Sequence, residues 1–152
     1  MNESQKIIEL FEDLYDGSPW IDVNIKDTLE ELTPGQAAEK ILQGRNSIWE
    51  IVNHLIHWRL NVLERMKGTR MTTPGNNYFT PVTDTSSDAW RNTLENLKHS
   101  QDAWTHYLSA MNGPDYLKVY AGNNMTHYRH IHGIIQHDAY HLGQIVLLSK
   151  LL

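Results

Sequence analysis

Apolar residues recur at three- and four-residue steps through four long stretches of this chain, and no pair of segments keeps the two-residue alternation of neighbouring strands. That period commits the chain to helices that each bury one stripe. The first runs from about Glu3 to Tyr15, with Ile7, Ile8, Leu10, Phe11 and Leu14 on its stripe, and Asp16-Gly17-Ser18-Pro19 ends it. The second runs from about Asn46 to Met66, with Ile48, Ile51, Val52, Leu55, Trp58, Val62 and Met66. The third opens at the Thr85-Ser86-Ser87-Asp88 capping region and continues to Met111, before Asn112-Gly113-Pro114. The fourth begins at Thr126 as N-cap and runs almost to Leu152. Shorter helical runs are predicted over Asp22 to Leu32 and from Thr33-Pro34 to Leu42. Tyr116 to Asn124 reads as irregular, with room for a short extended piece.

Four amphipathic helices in 152 residues make an all-α four-helix bundle, expected as a single domain over 1–152. Residues 67–85 between the second and third helices contain Pro74, Gly75, Asn76, Asn77 and Pro81, too polar and punctuated for a helix. A connection of that length is uncommon and often functional.

Three histidines carry the chemistry. His137 and His141, in the run HDAYHLGQ, stand four apart and so on one helical face. His54 belongs to the second helix. At about 100° per residue it lies about 100° from the centre of its apolar stripe, where a pocket wall would be, whereas His57 lies about 160° away. His130, His137 and His141 form a narrow row on the flank of the fourth stripe. Three imidazoles with an open coordination position are the pattern of a catalytic metal site. His54 lies about 18 Å from the end of its helix, and His137 and His141 roughly 17–23 Å from the start of theirs. The heights match if the second and fourth helices are antiparallel, which makes residues 67–85 a crossover along the bundle.

Candidate groups around the ion are Asn61 and Arg65 on the His54 side, His130 or His57 as general base, and Gln144 to orient a ligand or contact substrate. Asp138 falls among apolar positions and needs a partner, either an imidazole of another helix or a subunit interface. A ferritin-like di-metal site would require Glu-x-x-His on two helices, but Ile51 and Ile134 occupy the positions three before His54 and His137. A bundle that holds metal or ligand without catalysis is the other reading.

The chain has no cysteine, hence no thiolate ligand or nucleophile, and any thiol chemistry needs an external thiol. A net charge of −5 without a Lys/Arg cluster argues against nucleic acid as a partner. No apolar run is long enough to span a membrane, and the acidic amphipathic start does not read as a signal peptide, so a cytoplasmic location is expected.

The segments His54-Leu55-Ile56-His57-Trp58 and His137-Asp138-Ala139-Tyr140-His141-Leu142-Gly143-Gln144 resemble the DinB/YfiT-like family, a bundle family distinct from the DNA polymerase that shares the DinB name. Leu14-Tyr15-Asp16-Gly17 and Leu32-Thr33-Pro34 extend the resemblance over nearly the whole chain. It implies one divalent ion, nickel, zinc or similar, held by His54, His137 and His141. It also implies a homodimer acting on a small-molecule substrate. Some relatives transfer low-molecular-weight thiols such as mycothiol or bacillithiol, and others are assigned only as hydrolases; thiol transfer is preferred on this ground alone. His57 stands where many relatives carry an acidic residue.

Overall fold

The computed structural model describes residues 1–152. Its elements are α1 (Glu3–Tyr15), α2 (Ile25–Glu30), α3 (Pro34–Ala38), α4 (Ile48–Met66), α5 (Ser87–Ser109), a 3-10 turn (Gly113–Leu117), β1 (Val119–Tyr120), β2 (Met125–Thr126) and α6 (His127–Ser149). The four long helices begin where polar side chains satisfy the first free N–H groups. Asn2 caps α1, Ser47 caps α4, Ser86 caps α5 and Thr126 caps α6. At α4 the Glu50 carboxylate returns to the Ser47 N–H and also takes Lys40, which explains why this acid is buried.

The short helices are tighter than the sequence pattern predicts. Asn24 caps α2, so the helix starts at Ile25 rather than at Asp22. After Ala38 the backbone turns extended at Glu39 (ψ 134°), ending α3 before Leu42. The expected irregular stretch resolves into the 3-10 turn and an antiparallel hairpin, Val119 opposite Thr126 and Tyr120 opposite Met125.

Contacts between helices set their directions. Trp49 on α4 donates its indole N–H to Thr93, and Tyr107 donates its hydroxyl to the Met66 carbonyl, so α4 and α5 run parallel. On α6 the order is reversed. Leu142 and Ile145 pack with Ile51 and Leu55, while Ile131 and Ile134 pack with Val62 and Leu63, so α4 and α6 are antiparallel. Helix α1 closes the bundle against α5 and α6, with Phe11 stacked on Trp104 at 5.3 Å. Parallel neighbours joined in sequence need a connection that travels back along the bundle, and residues 67–86 make that crossing.

Two apolar clusters form the core. One gathers Ile25, Leu55, Trp90, Leu97 and Leu142; the other gathers Phe11, Leu63, Trp104, Leu108 and Ile131. Between them, on three helices, lie Arg59, Asp138, Ser100 and Gln101. Arg59 and Asp138 are fully buried, with Nε donating to Oδ2 at 2.8 Å. Arg59 Nη1 reaches Gln101 Oε1 at 3.1 Å and Ser100 Oγ at 3.4 Å. Asp138 therefore meets neither an imidazole of another helix nor a subunit surface. A carboxylate on a core-facing position is compensated by a guanidinium on the equivalent position of α4. No helix is long and apolar enough to cross a membrane.

Candidate metal centre

Helices α4 and α6 bring His54, His137 and His141 together, with one ring nitrogen from each within 4.8 Å of the others. His54 and His141 are buried, and the His137 side chain keeps 27% exposure. Hydrogen bonds decide which nitrogens face inward. His54 Nδ1 lies 2.6 Å from the Asn77 carbonyl, and a carbonyl only accepts, so Nδ1 carries the proton and Nε2 is free. His141 Nδ1 likewise donates to Gln144 Oε1 at 2.7 Å, and Gln144 donates from Nε2 to the Tyr140 hydroxyl at 3.0 Å. His54 Nε2 meets His137 Nε2 at 3.0 Å, while His137 Nδ1 is buried without a hydrogen-bond partner.

This donor set suits a divalent cation. With their Nδ1 protons engaged, His54 and His141 each keep an unprotonated Nε2, and three imidazoles this close offer a divalent cation one nitrogen apiece. With Nε2 of His137 on an ion, its proton would sit on Nδ1, the atom now without a partner. The unpartnered Oδ1 of Asp138 lies 3.8 Å from that nitrogen, outside hydrogen-bond range but the nearest negative charge. The pKa of His54 is lowered to about 4, chiefly by burial and with help from the neighbouring His141 and His137, against the opposing pull of the Asn77 carbonyl. His141 is lowered chiefly by burial and then by His137. Burial thus favours the neutral form of His54 and His141, the form in which an imidazole can ligate a metal.

The crossover builds the other wall. Asn77 (φ 51°) and Tyr78 (φ 64°) occupy the left-handed region, sparsely used by side chains other than glycine, and Asn tolerates it best. The turn is held by its contacts. Trp58 donates its indole N–H to Asn77 Oδ1 at 3.0 Å, and Phe79 stacks on His54 at 4.0 Å. Asn61 donates to the Tyr78 hydroxyl and to the Thr72 carbonyl, and accepts from Arg65 Nε at 2.7 Å.

The remaining expected site residues divide by these contacts. His57 is exposed and outside the cleft; its Nδ1 donates to the Asn53 carbonyl and its ring stacks on Tyr78 at 5.3 Å, so it supports the crossover. Asn61 is buried behind the crossover rather than on the cleft wall. Arg65, His130 and Gln144 do line a cleft of about 820 Å³ that runs over the triad. His130 donates from Nδ1 to the Thr126 carbonyl, its Nε2 faces the Asn123 amide at 3.2 Å, and burial lowers its pKa. Sequence reasoning misses Asn77, Phe79 and Arg59. Only Arg59 leaves a signal, a lone cation four residues after Leu55 on an apolar stripe.

The model of the DinB superfamily matches residues 24–145. No curated protein matches the chain. Among solved structures, YfiT from Bacillus subtilis, reported as a probable metal-dependent hydrolase with an unusual four-helix bundle topology, superposes with a TM-score of 0.73 at 15% identity, over 99% of this chain and 89% of that one.

Proposed function

The chain belongs to the DinB superfamily, and we propose that it is a metal-dependent hydrolase of a small molecule, with its ion held by His54, His137 and His141. The observation that carries this reading is the tautomer control: Asn77 and Gln144 each fix a proton on the outer nitrogen of an imidazole, leaving the inner nitrogens to converge beside an open cleft. An ion in such a site lowers the pKa of bound water and polarises an electrophilic oxygen of the substrate. Phe79 and the crossover shield His54 from bulk water, while Trp58 offers an apolar wall for the substrate. His130 is the cleft imidazole outside the triad; burial holds it neutral and able to accept a proton once Asn123 turns aside.

Elemental analysis of the purified protein, with a titration of zinc and nickel into chelated protein, tests the site. We expect one divalent ion per chain, lost in His137→Ala; unchanged stoichiometry and affinity in that variant would reject the ligand set. Reaction type is read from ester and amide substrates in water alone, and from electrophilic acceptors with added small thiols. Turnover in water that disappears in His54→Ala supports hydrolysis. Turnover only with a thiol replaces it with thiol transfer, and binding without turnover across several metals with a non-catalytic role.

A further inference from the structure

The chain carries 18 acidic residues against 13 basic ones, yet the cleft wall reverses that balance. Arg45, Arg65 and Arg129 line it and no Asp or Glu does. Of the three, Arg45 and Arg129 are exposed, whereas Arg65 is half-buried and held in place. Its Nε donates to Asn61, and its guanidinium lies over two rings, 5.4 Å from Trp58 and 5.6 Å from Tyr120. Neither Nη group has a hydrogen-bond or ion-pair partner, and both remain accessible. A guanidinium fixed by its Nε and by two aromatic faces, with its donor fork free and no carboxylate on the cleft wall, is built to receive an oxyanion. The Trp58 ring spans the gap to the triad, 6.1 Å from the ring of His137. Gly133, one turn before His137 on α6, adds nothing to that stretch; a Cβ there would meet no atom within 4 Å.

We propose that Arg65 anchors a carboxylate or phosphate group of the substrate, with an apolar stretch of the molecule lying over Trp58 and Gly133 and its reacting end at the three histidines. The substrate class is therefore a small amphipathic oxyanion. This rests on the reading of the triad as the reaction centre, but the anion anchor is measurable without turnover.

The test is calorimetric binding of 4-phenylbutyrate and 3-phenylpropylphosphonate against the neutral 4-phenylbutanol, on protein as purified and after chelation. In both states the anions should bind more tightly than the alcohol. Arg65→Gln should weaken the anions about tenfold and leave the alcohol nearly unchanged, and Arg65→Lys should recover part of the loss. Gly133→Leu should weaken all three probes by filling the apolar stretch. Thermal unfolding followed by circular dichroism checks that each variant folds. Anions that bind no better than the alcohol, an Arg65→Gln protein that binds them undiminished, or a loss that follows Arg45→Gln or Arg129→Gln instead, would overturn the proposal. The metal reading fails separately. His137→Ala that keeps its ion rejects the triad, while the anion preference of chelated protein still reports on Arg65.

Discussion

Arg59 with Asp138, and His54 with His137 and His141, are neighbouring polar groups on the same two helices, built to opposite ends. The first balances its own charge. A cation and an anion, both fully buried, meet at 2.8 Å, and the cation donates further hydrogen bonds to Gln101 and Ser100 of α5. The second is left unfinished. Three imidazoles of one kind converge, hydrogen bonds hold two of them with bare nitrogens inward, and one outer nitrogen has no partner. The first joins α4, α5 and α6 between two apolar clusters; the second opens to a cleft. A polar cluster that pairs its own opposite charges joins helices, whereas three imidazoles with no charge among them, open to a cleft, leave room for a cation.

Breaking the ion pair should have the largest effect. Asp138→Ala leaves Arg59 buried and uncompensated and should destabilise the protein by about 3–5 kcal/mol in urea unfolding. The Arg59→Met, Asp138→Leu double variant should recover most of that. If Asp138→Ala instead left stability intact, Asp138 would belong to the metal centre alone, through His137, and the contrast would collapse.

Gln144→Ala probes the other cluster with less force. It removes the acceptor that fixes the His141 tautomer and should weaken metal binding about 10–100-fold while changing the stability of metal-free protein little. A variant that loses stability but keeps its metal affinity would make Gln144 a structural residue.

The same cluster can be probed through pH. The folded-state pKa of His54 is lowered from 6.5 to about 4. Between those values the unfolded chain binds a proton that the folded one refuses, so metal-free protein should lose stability as pH falls from about 6.5 to about 4 and level off below. His141 and His130, also lowered by burial, act in the same direction. Unfolding midpoints of chelated wild type and His54→Ala across this range measure it; the variant should show the shallower slope, and equal slopes would mean that burial of His54 does not govern its protonation.

The four long helices, their caps at Thr126 and Ser86, and the antiparallel placement of α4 and α6 follow from periodicity, short capping patterns and the heights of three histidines. So does the convergence of His54, His137 and His141, because helical spacing fixes the angle of each side chain about its own axis. What lies across from each angle is another matter. The turn that presents the Asn77 carbonyl to His54 depends on two left-handed residues held by Trp58, Asn61 and His57, none adjacent to it in sequence. His57, a candidate base from its place on the helix, stacks on Tyr78 outside the cleft, since exposure and angle say nothing of the loop packed against them.

By itself, the sequence determined the helices, the faces they bury and the three imidazoles able to share an ion. These are local matters of period and end-capping, carried within single helices. The tertiary structure alone decided that Asp138 pairs with Arg59, that the Asn77 carbonyl fixes which nitrogen of His54 faces inward, and that Arg65 faces the cleft with its donors free. Each of those depends on which backbone or side chain arrives from a distant segment, and a helical period specifies a direction but not its occupant.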